Sequence, residues 1–246
     1  MHDMAEDLPV PGWKPTRQPS RTRPALSRNA IVDVALRLVD ADGLEGVSMR
    51  RVAEELGTGP ASLYAHVANK EELLELVHDR VLGEVELPEP DPEHWREQLR
   101  AVAMSAFRVY VAHRDISRVS LANIPTGLNG LRMGEGLMAI MLAGGVPPQV
   151  AAYAIDRLAL YIAADAYEGA IFSKRRTATG QSHEEYAQAY YDGVRSFFTS
   201  LPPERFPLLS KHVDLLMSGD SGQRFEFGLD MFIRSLATYV EPRDAA

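Results

Sequence analysis

Small and polar side chains between residues 61 and 70 are of the types that contact a polyanion. Tyr64 and His66 end in polar groups that can reach phosphates or base edges, and Lys70 adds a positive charge that can hold a phosphate. Ala61, Ser62 and Ala65 give the same segment a slim face, which suits a helix that must enter the major groove. These residues therefore predict a DNA contact.

Two short helical signals position these side chains. Ser48 is a good N-cap for a first helix, and Gly57 ends that helix. Pro60 suits the first position of a second helix, which we expect to run to about Val67. Helix, glycine turn and helix in this spacing indicate a helix-turn-helix, whose second helix enters the major groove. The same arrangement also occurs in domains that do not bind DNA, so spacing alone leaves both interpretations open.

The whole chain is predicted to be all-α, because no stretch shows β-type alternation. Apolar residues recur at helical spacing between Ser27 and Gly43, and Asn69 with Glu72 makes a capping-box-like start for a fourth helix. We expect further helices at about 70–86, 93–112, 129–143, 147–171, 183–199, 204–217 and 222–240, with a polar, basic loop at 173–182.

The net charge of −8 is unevenly distributed along the 246 residues. Residues 71–246 carry 17 basic and 25 acidic residues, whereas residues 8–70 carry nine basic and six acidic ones. A basic N-terminal segment in an otherwise acidic chain indicates that this segment contacts a polyanion locally.

Residues 1–25 are rich in proline and show no helical periodicity, so we expect an extended or disordered arm. Arg17, Arg21 and Arg23 lie among these prolines. Such an arm can lie in the minor groove of DNA, or it can be a solvated tail that contacts nothing. The sequence leaves both interpretations open.

Enzyme motifs are not evident in the sequence. It contains no G-x-S-x-G, no Walker loop and no H-E-x-x-H, and the glycines from Gly57 follow a helix where a dinucleotide fingerprint requires a strand. The seven histidines lack metal-ligand spacing. We predict no enzymatic activity, no cofactor and no bound metal.

The cellular compartment is constrained by composition. The chain has no cysteine, which excludes disulfides and thiolate chemistry. Residues 1–9 are too polar for a signal peptide, and glycines and prolines interrupt the uncharged stretch 136–155. We expect a cytoplasmic protein without a membrane segment.

The motif closely resembles the TetR family of bacterial repressors over the run SMRRVAEELGTGPASLYAHVANKEELLELV, Ser48–Val77. The features that carry this resemblance are Ala53 in the first helix of the motif, Gly57 at the turn, the run Leu63, Tyr64 and His66, and the step Asn69, Lys70 and Leu73. A less specific resemblance to the tetracycline-repressor type of C-terminal domain rests on Trp95, His113–Asp115, Pro125, Glu168 and Phe225–Ile233.

This resemblance implies three parts: an arm at residues 1–25, a helix-turn-helix domain at 26–73 and a ligand-binding and dimerisation domain at 74–246. It implies that Arg50 contacts a base or the DNA backbone and that Lys70 contacts a phosphate. The expected set of contacts to operator DNA, beyond the arginines of the arm, is Ser48, Arg50, Thr58, Gly59, Pro60, Ala61, Ser62, Tyr64, His66 and Lys70.

A small-molecule effector is also implied. Ser120 stands where the tetracycline repressor has a drug-anchoring histidine, Ile124 replaces an arginine, and Glu168 keeps the position of a glutamate that anchors the drug and its magnesium. We therefore expect no metal requirement. The expected lining is mostly apolar with a few polar groups, as ligand pockets tend to be: Val102, Phe107, Ser120, Asn123, Met133, Leu137, Tyr161, Asp165 and Glu168. Each can equally be ordinary core or surface.

A homodimer is the further implication, because paired recognition helices read a near-palindromic operator. The helices at 147–171 and 222–240 resemble the pair that forms a four-helix interface between subunits. Their apolar residues are Ala152, Ile155, Leu158, Ala159 and Ile162, and Phe225, Leu229, Phe232, Ile233 and Leu236. Such stripes also occur as ordinary intrachain core, which we expect for part of each helix.

The family mechanism implies a repressor that a small hydrophobic drug or natural product releases, with an exporter gene as the typical target. Ligand binding would move the predicted fourth helix and change the separation of the two recognition helices. An activator, or a regulator controlled by a protein partner, is not distinguished by the sequence.

Overall fold

The computed structural model describes residues 26–121 and 123–240, and no strand occurs among them. The predicted all-α fold is confirmed, whereas Arg17, Arg21 and Arg23 of the arm lie outside the described residues. The helices are α1 (Arg28–Asp42), α2 (Met49–Glu55), α3 (Pro60–Leu63), α4 (Lys70–Leu82), α5 (Trp95–Ala112), α6 (Ser117–Ser120), α7 (Leu128–Ala143), α8 (Pro148–Thr179), α9 (His183–Thr199), α10 (Pro207–Lys211), α11 (Val213–Leu216) and α12 (Ser221–Ala237), with a 3₁₀ turn at Leu44–Gly46.

The predicted helix starts are confirmed by their capping bonds. The Ser27 hydroxyl accepts from the N–H of Ala30, and the Ser48 hydroxyl accepts from that of Arg51, both at 3.2 Å. The Asn69 side chain accepts from the N–H of Glu72 at 2.8 Å. Each cap satisfies a backbone donor that has no partner within its own helix.

Two helices are shorter than predicted. α3 ends at Leu63 and does not continue to Val67, because the Leu63 carbonyl accepts from the N–H groups of both His66 and Val67 and so closes a turn. α4 ends at Leu82. Gly83 still donates to the Asp79 carbonyl, but Glu84 and Val85 make tighter, three-residue hydrogen bonds before the proline-containing linker.

The loop predicted at 173–182 is wrong. α8 continues to Thr179 and ends at Gly180, whose φ of 72° is the left-handed conformation that closes helices. No glycine or proline interrupts the chain between Ile171 and Gly180, so the helix has no reason to stop earlier. Helix α6 and the 3₁₀ turn were not predicted, since each is too short to show periodicity.

A continuous hydrophobic core runs from α1 to α12. α8 lies at its centre and packs on α5, α6 and α7, while α4 packs on α1 on one side and on α5, α6 and α7 on the other. Among the largest fully buried side chains are Ile31, Leu63, Leu73, Leu99, Ile116, Ile140, Leu158, Ile162, Phe225 and Leu229.

Two titratable groups face each other inside this core. The Nε2 atom of His78 on α4 lies 2.8 Å from the hydroxyl of Tyr110 on α5. Burial lowers the pKa of His78 to about 4, against a smaller opposing effect of Asp79. Burial also raises the pKa of Tyr110 to about 12, while a hydrogen bond with Ser120 acts in the other direction. His78 is therefore neutral in the folded protein at neutral pH.

We expect this neutral histidine to make folding stability depend on pH. An unfolded histidine with a pKa of 6.5 binds a proton more readily than folded His78, so its contribution is complete above pH 6.5 and is lost as pH falls towards about 4. His78→Gln removes the titration and keeps a polar group beside Tyr110. Between pH 7 and pH 5 the free energy of unfolding should fall by about 2 kcal/mol more in the wild type than in H78Q.

Urea unfolding of both proteins at a series of pH values measures this difference. His94→Gln is the control, because His94 is exposed and its pKa is raised by Asp91, the opposite direction. Parallel pH profiles for the wild type and H78Q would contradict the assignment.

Candidate nucleic-acid interface and effector region

A glycine turn sets the angle between α2 and α3. Gly57 has a φ of 64°, which glycine adopts without a side-chain clash. The N–H of Thr58 donates to the Ala53 carbonyl at 2.9 Å, and the N–H of Gly57 donates to the Glu54 carbonyl at 3.0 Å. This pattern closes a helix with glycine just past its end. The turn predicted from Gly57 is therefore present.

The side of α3 away from the core carries the predicted contact residues. Leu63 and Val67 are buried and anchor the segment, while Tyr64 is 54% exposed. Thr58 and His66 are half-buried. The remaining exposed members of the predicted set are Ser48, Arg50, Gly59, Pro60, Ala61 and Ser62. The face is small and polar, and Arg50 beside it on α2 pairs with Glu54 at 3.6 Å.

Lys70 is used partly within the protein. Its Nζ donates to the carbonyl of Leu44 at 3.1 Å, and the residue is half-buried. This bond ties the start of α4 to the 3₁₀ turn. The ammonium has three donors, so a phosphate contact by the remaining two stays a prediction.

Arg28 holds the exit of α3 in place and was not in the predicted set. Its Nε donates to the His66 carbonyl at 3.1 Å, and its Nη2 lies 3.4 Å from Glu72. Glu72 also accepts from the N–H of Ala68 at 2.5 Å. The first residue of α1 is thereby joined to α4 and to the end of residues 60–67, which we call the recognition segment. The sequence predicts Glu72 as the acid at the third position of α4, but not its pairing with Arg28, because the two residues are 44 positions apart.

Polar bonds join the end of α1 to the α5–α6 connection. His113 lies 2.9 Å from Asp40 and 3.2 Å from Glu84 through its two ring nitrogens. Burial opposes a charge on His113, but hydrogen bonds to these two carboxylates outweigh it and raise its pKa. The Asp115 carboxylate accepts from the N–H of Leu44 at 2.9 Å. Arg114 donates to the Asp40 carbonyl at 2.8 Å, and Arg118 donates to the Glu45 carboxylate at 3.1 Å. We call this set of hydrogen bonds and ion pairs between residues 40–45 and 113–118 the polar seam.

The predicted effector residues are only partly brought together. The ring of Phe107 stacks on Phe225 with centroids 4.1 Å apart, and Phe225 stacks on Tyr161 at 5.2 Å. The Tyr161 hydroxyl donates to the Phe225 carbonyl at 2.7 Å. Val102 and Leu137 are fully buried in the same core. These members form a packed apolar and aromatic region.

Ser120 lies in a buried polar network. Its hydroxyl donates to the Ser117 carbonyl at 2.8 Å, and Tyr110 connects it to His78. The Ser117 hydroxyl is itself fully buried without a hydrogen-bond partner. His78 and Tyr110 were missed because a lone polar residue on an apolar helix face gives no functional signal.

The remaining predicted effector residues are less enclosed. Met133 and Asp165 are half-buried, and burial followed by repulsion from Glu168 raises the pKa of Asp165. Asn123 and Glu168 are exposed. Within residues 26–121 and 123–240 no group of three histidine, cysteine or acidic side chains is arranged to hold a metal.

Most members of the predicted dimer stripes belong to the intrachain core. Leu158 and Ile162 of α8 are buried within the chain, as are Phe225, Leu229, Ile233 and Leu236 of α12. These side chains face their own core and are not available to a second protomer. The outer side of α12 instead carries Phe227 and Met231, which are 67% and 55% exposed. Ala152 and Ala159 lie on the exposed side of α8.

A cleft of about 260 Å³ between α5 and α12 contains none of the predicted effector residues. Asp230 lies in it, paired with Arg100 at 2.6 Å and with Arg234 at 2.5 Å. The cleft is therefore charged and internally paired, unlike an apolar ligand pocket. Over the part of the chain that is described, no helix is long and apolar enough to cross a membrane.

Two family models match the chain. Residues 31–77 match bacterial regulatory proteins of the tetR family, and residues 87–240 match the tetracyclin repressor-like C-terminal domain. The HTH-type transcriptional repressor DrrR1 of Streptomyces coeruleorubidus is 30% identical over 233 residues, which cover 94% of this chain and 85% of that protein.

A solved structure and a further sequence relative agree with these matches. ActR from Streptomyces coelicolor in complex with actinorhodin has a TM-score of 0.78 and 40% identity, covering 87% of this chain and 98% of that one. The class D tetracycline repressor from Escherichia coli is 28% identical over 85% of this chain and 88% of its own length. The chain therefore belongs to the TetR family of transcriptional repressors, which are not enzymes, with a helix-turn-helix DNA-binding domain followed by a ligand-binding C-terminal domain of the tetracycline-repressor type.

Proposed function

We propose that a homodimer of this chain represses transcription by binding a near-palindromic operator, and that a small hydrophobic molecule releases it. The exposed, small-residue face of α3 is the observation that carries the DNA-binding part of this proposal. We place the protein in the cytoplasm, where bacterial DNA is accessible, and take an exporter gene as its target.

Recognition of the operator rests on Tyr64 and the residues around it. Tyr64 exposes a hydroxyl and a ring at the end of α3, and Arg50 on α2 adds a charged side chain on the neighbouring helix. Hydroxyl and guanidinium groups are common contacts to phosphate and base edges. Arg28 and Glu72 hold the chain that follows α3, so they orient this face without being required to touch DNA.

Dimerisation is assigned to the outer sides of α8 and α12. Phe227 and Met231 are four residues apart and therefore lie one above the other on α12. Ala152 and Ala159 give α8 small residues that allow a partner helix to approach closely. A twofold axis through these faces would present two α3 helices to one side of a duplex.

The effector region is assigned to the aromatic stack and to the polar network beside it. Phe107 and Tyr161 provide flat apolar surfaces, and the half-buried Ser120 on α6 provides a hydrogen-bonding group. An apolar, ring-containing molecule with at least one polar group matches this chemistry. ActR binds actinorhodin, so actinorhodin is the first compound to test. The family mechanism then requires that effector and operator weaken each other's binding equally.

Operator binding is tested by fluorescence anisotropy with DNA from around the protein's own gene and with a scrambled duplex. The wild type should bind the native site at least about 1,000-fold more tightly than the scrambled one. Tyr64→Ala should weaken native-site binding by about 10-fold or more, which corresponds to roughly 1.4 kcal/mol. Tyr191→Ala on α9 is the matched control, because it removes a comparably exposed tyrosine outside the helix-turn-helix. Equal binding of both duplexes by the wild type would contradict the proposal.

The N-terminal arm gives a separate prediction. Deleting residues 1–22 removes Arg17 and Arg21 with the surrounding prolines. If these arginines contact phosphates, affinity should fall and the slope of log affinity against log salt should become shallower by about 0.9 for each lost contact. An unchanged affinity and slope would assign the arm as a solvated tail.

The dimer face is tested by introducing charge. The double variant F227D/M231D should dissociate into monomers in analytical ultracentrifugation, because four carboxylates would face each other across the twofold axis. The control L208D/L215D alters α10 and α11, where Leu208 and Leu215 are 70% and 69% exposed. Dissociation of the control with an intact F227D/M231D dimer would move the interface to α10 and α11.

A further inference from the structure

The carboxylate of Asp79 on α4 reaches out of its own helix to the first turn of α7. Its Oδ1 accepts from the backbone N–H of Gly130 at 2.9 Å, and its Oδ2 accepts from the side-chain amide of Asn129 at 3.3 Å. α7 begins after Gly127, which has no side chain to cap the helix. Asp79 therefore supplies, from another helix, the acceptor that an N-cap residue normally provides.

The approach of α4 to α7 is close at this point. A Cβ on Gly127 would overlap the Asp79 carboxylate, so glycine is required there for the two helices to come together. A second hydrogen bond joins α7 to the residues that follow α4, where the Arg132 guanidinium donates to the Val85 carbonyl at 2.9 Å. The start of α7 and the C-terminal half of α4 are thus tightly joined.

The two ends of this connection have different roles. α7 carries Met133 and Leu137, two of the residues predicted to line the effector region. α4 begins beside the recognition segment, where Glu72 binds Ala68 and Arg28. α4 has 13 residues, about 20 Å of continuous helix, and so can transmit a displacement from one end to the other.

We infer that Asp79 is the residue through which α7 sets the position of α4. The position of α4 in turn sets the orientation of the DNA-reading face, the exposed side of α3. In this inference Asp79 acts only by positioning, through its hydrogen bonds to Asn129 and Gly130. The regulatory consequence rests on the proposed function, because only a DNA-binding protein would use this connection to change operator affinity.

Amide hydrogen exchange of the full-length protein without DNA tests the connection. Asp79→Ala should accelerate exchange in the first turn of α7 by about 10-fold, since those N–H groups lose their acceptor. Asp79→Asn keeps one acceptor oxygen and should restore most of the protection. Asp33→Ala is the matched control, because it removes the partner of the neighbouring Arg80 with the same change in charge. Equal acceleration in D33A and D79A would overturn the capping role.

A double-mutant comparison tests whether the connection transmits. Gly127→Ala pushes on Asp79, so it should change exchange over residues 60–72 by about 5-fold in the wild type but by less than about 2-fold when Asp79 is alanine. Asn129→Ala serves as a milder second perturbation if the G127A protein does not fold. The same response in both backgrounds, or no response at residues 60–72, would overturn the inference.

The same proteins with native-site DNA connect the inference to function. Bound operator should alter exchange in the first turn of α7 in the wild type and not in D79A. An operator effect that persists in D79A would show that another contact carries the coupling. A wild type that binds no DNA would defeat the proposed function alone, and the double-mutant comparison would still decide the role of Asp79.

Discussion

α4 is shared between the two parts of the molecule, and the position of the DNA-reading face depends on it. Leu73, Val77 and Val81 are fully buried along this helix, which packs on α1 as well as on α5, α6 and α7. Protein interiors are close-packed, so a helix enclosed on both sides cannot tilt without moving its neighbours. Whatever holds α4 against the larger domain therefore also holds α3, because Arg28 and Glu72 fasten the recognition segment to the start of α4.

Hydrogen bonds and ion pairs join the end of α1 and the turn after it to the α5–α6 connection. His113, Arg114 and Arg118 bind groups between residues 40 and 45. The Arg118–Glu45 pair is solvent-exposed, whereas the His113 side chain is mostly enclosed. Exposed ion pairs contribute little stability each, and water replaces them easily. The exposed part of the polar seam can therefore rearrange at low cost, whereas the apolar face of α4 preserves its packing.

Helix ends were predictable from the sequence, whereas contacts between residues far apart in the chain were not. Ser48, Asn69 and Gly57 marked helix ends because capping depends on one or two neighbouring residues. The Arg28 clamp joins residues 38 positions apart, and no local pattern announces it. The end of α8 was mispredicted because a basic, polar composition was interpreted as a loop, although only Gly180 breaks the helix.

Apolar periodicity has a related limit, which explains why the sequence could not separate the dimer stripes from intrachain core. It shows that one side of a helix is covered but does not say which chain covers it. Phe225 and Leu158 are covered by their own chain, whereas Phe227, two residues from Phe225 and on another side of α12, is exposed. The exposed fraction of each side chain separates the two cases, and that quantity depends on the tertiary packing of α5, α8 and α12.

The two connections from the candidate effector region to α4 converge on one turn of that helix. Ser120 reaches His78 through Tyr110, and the start of α7 reaches Asp79 directly. Neighbouring residues on a helix point about 100° apart, so α4 receives contacts from α5 and from α7 on two sides of the same turn. A displacement of α5 or of α7 therefore also disturbs the contact that the other helix makes with α4. Residues that share a packed environment do not contribute independently. Coupling between an effector site and a DNA-binding site is usually about 1–3 kcal/mol. Contacts of α5 and α7 with one turn of α4 can supply it without any large movement of the core.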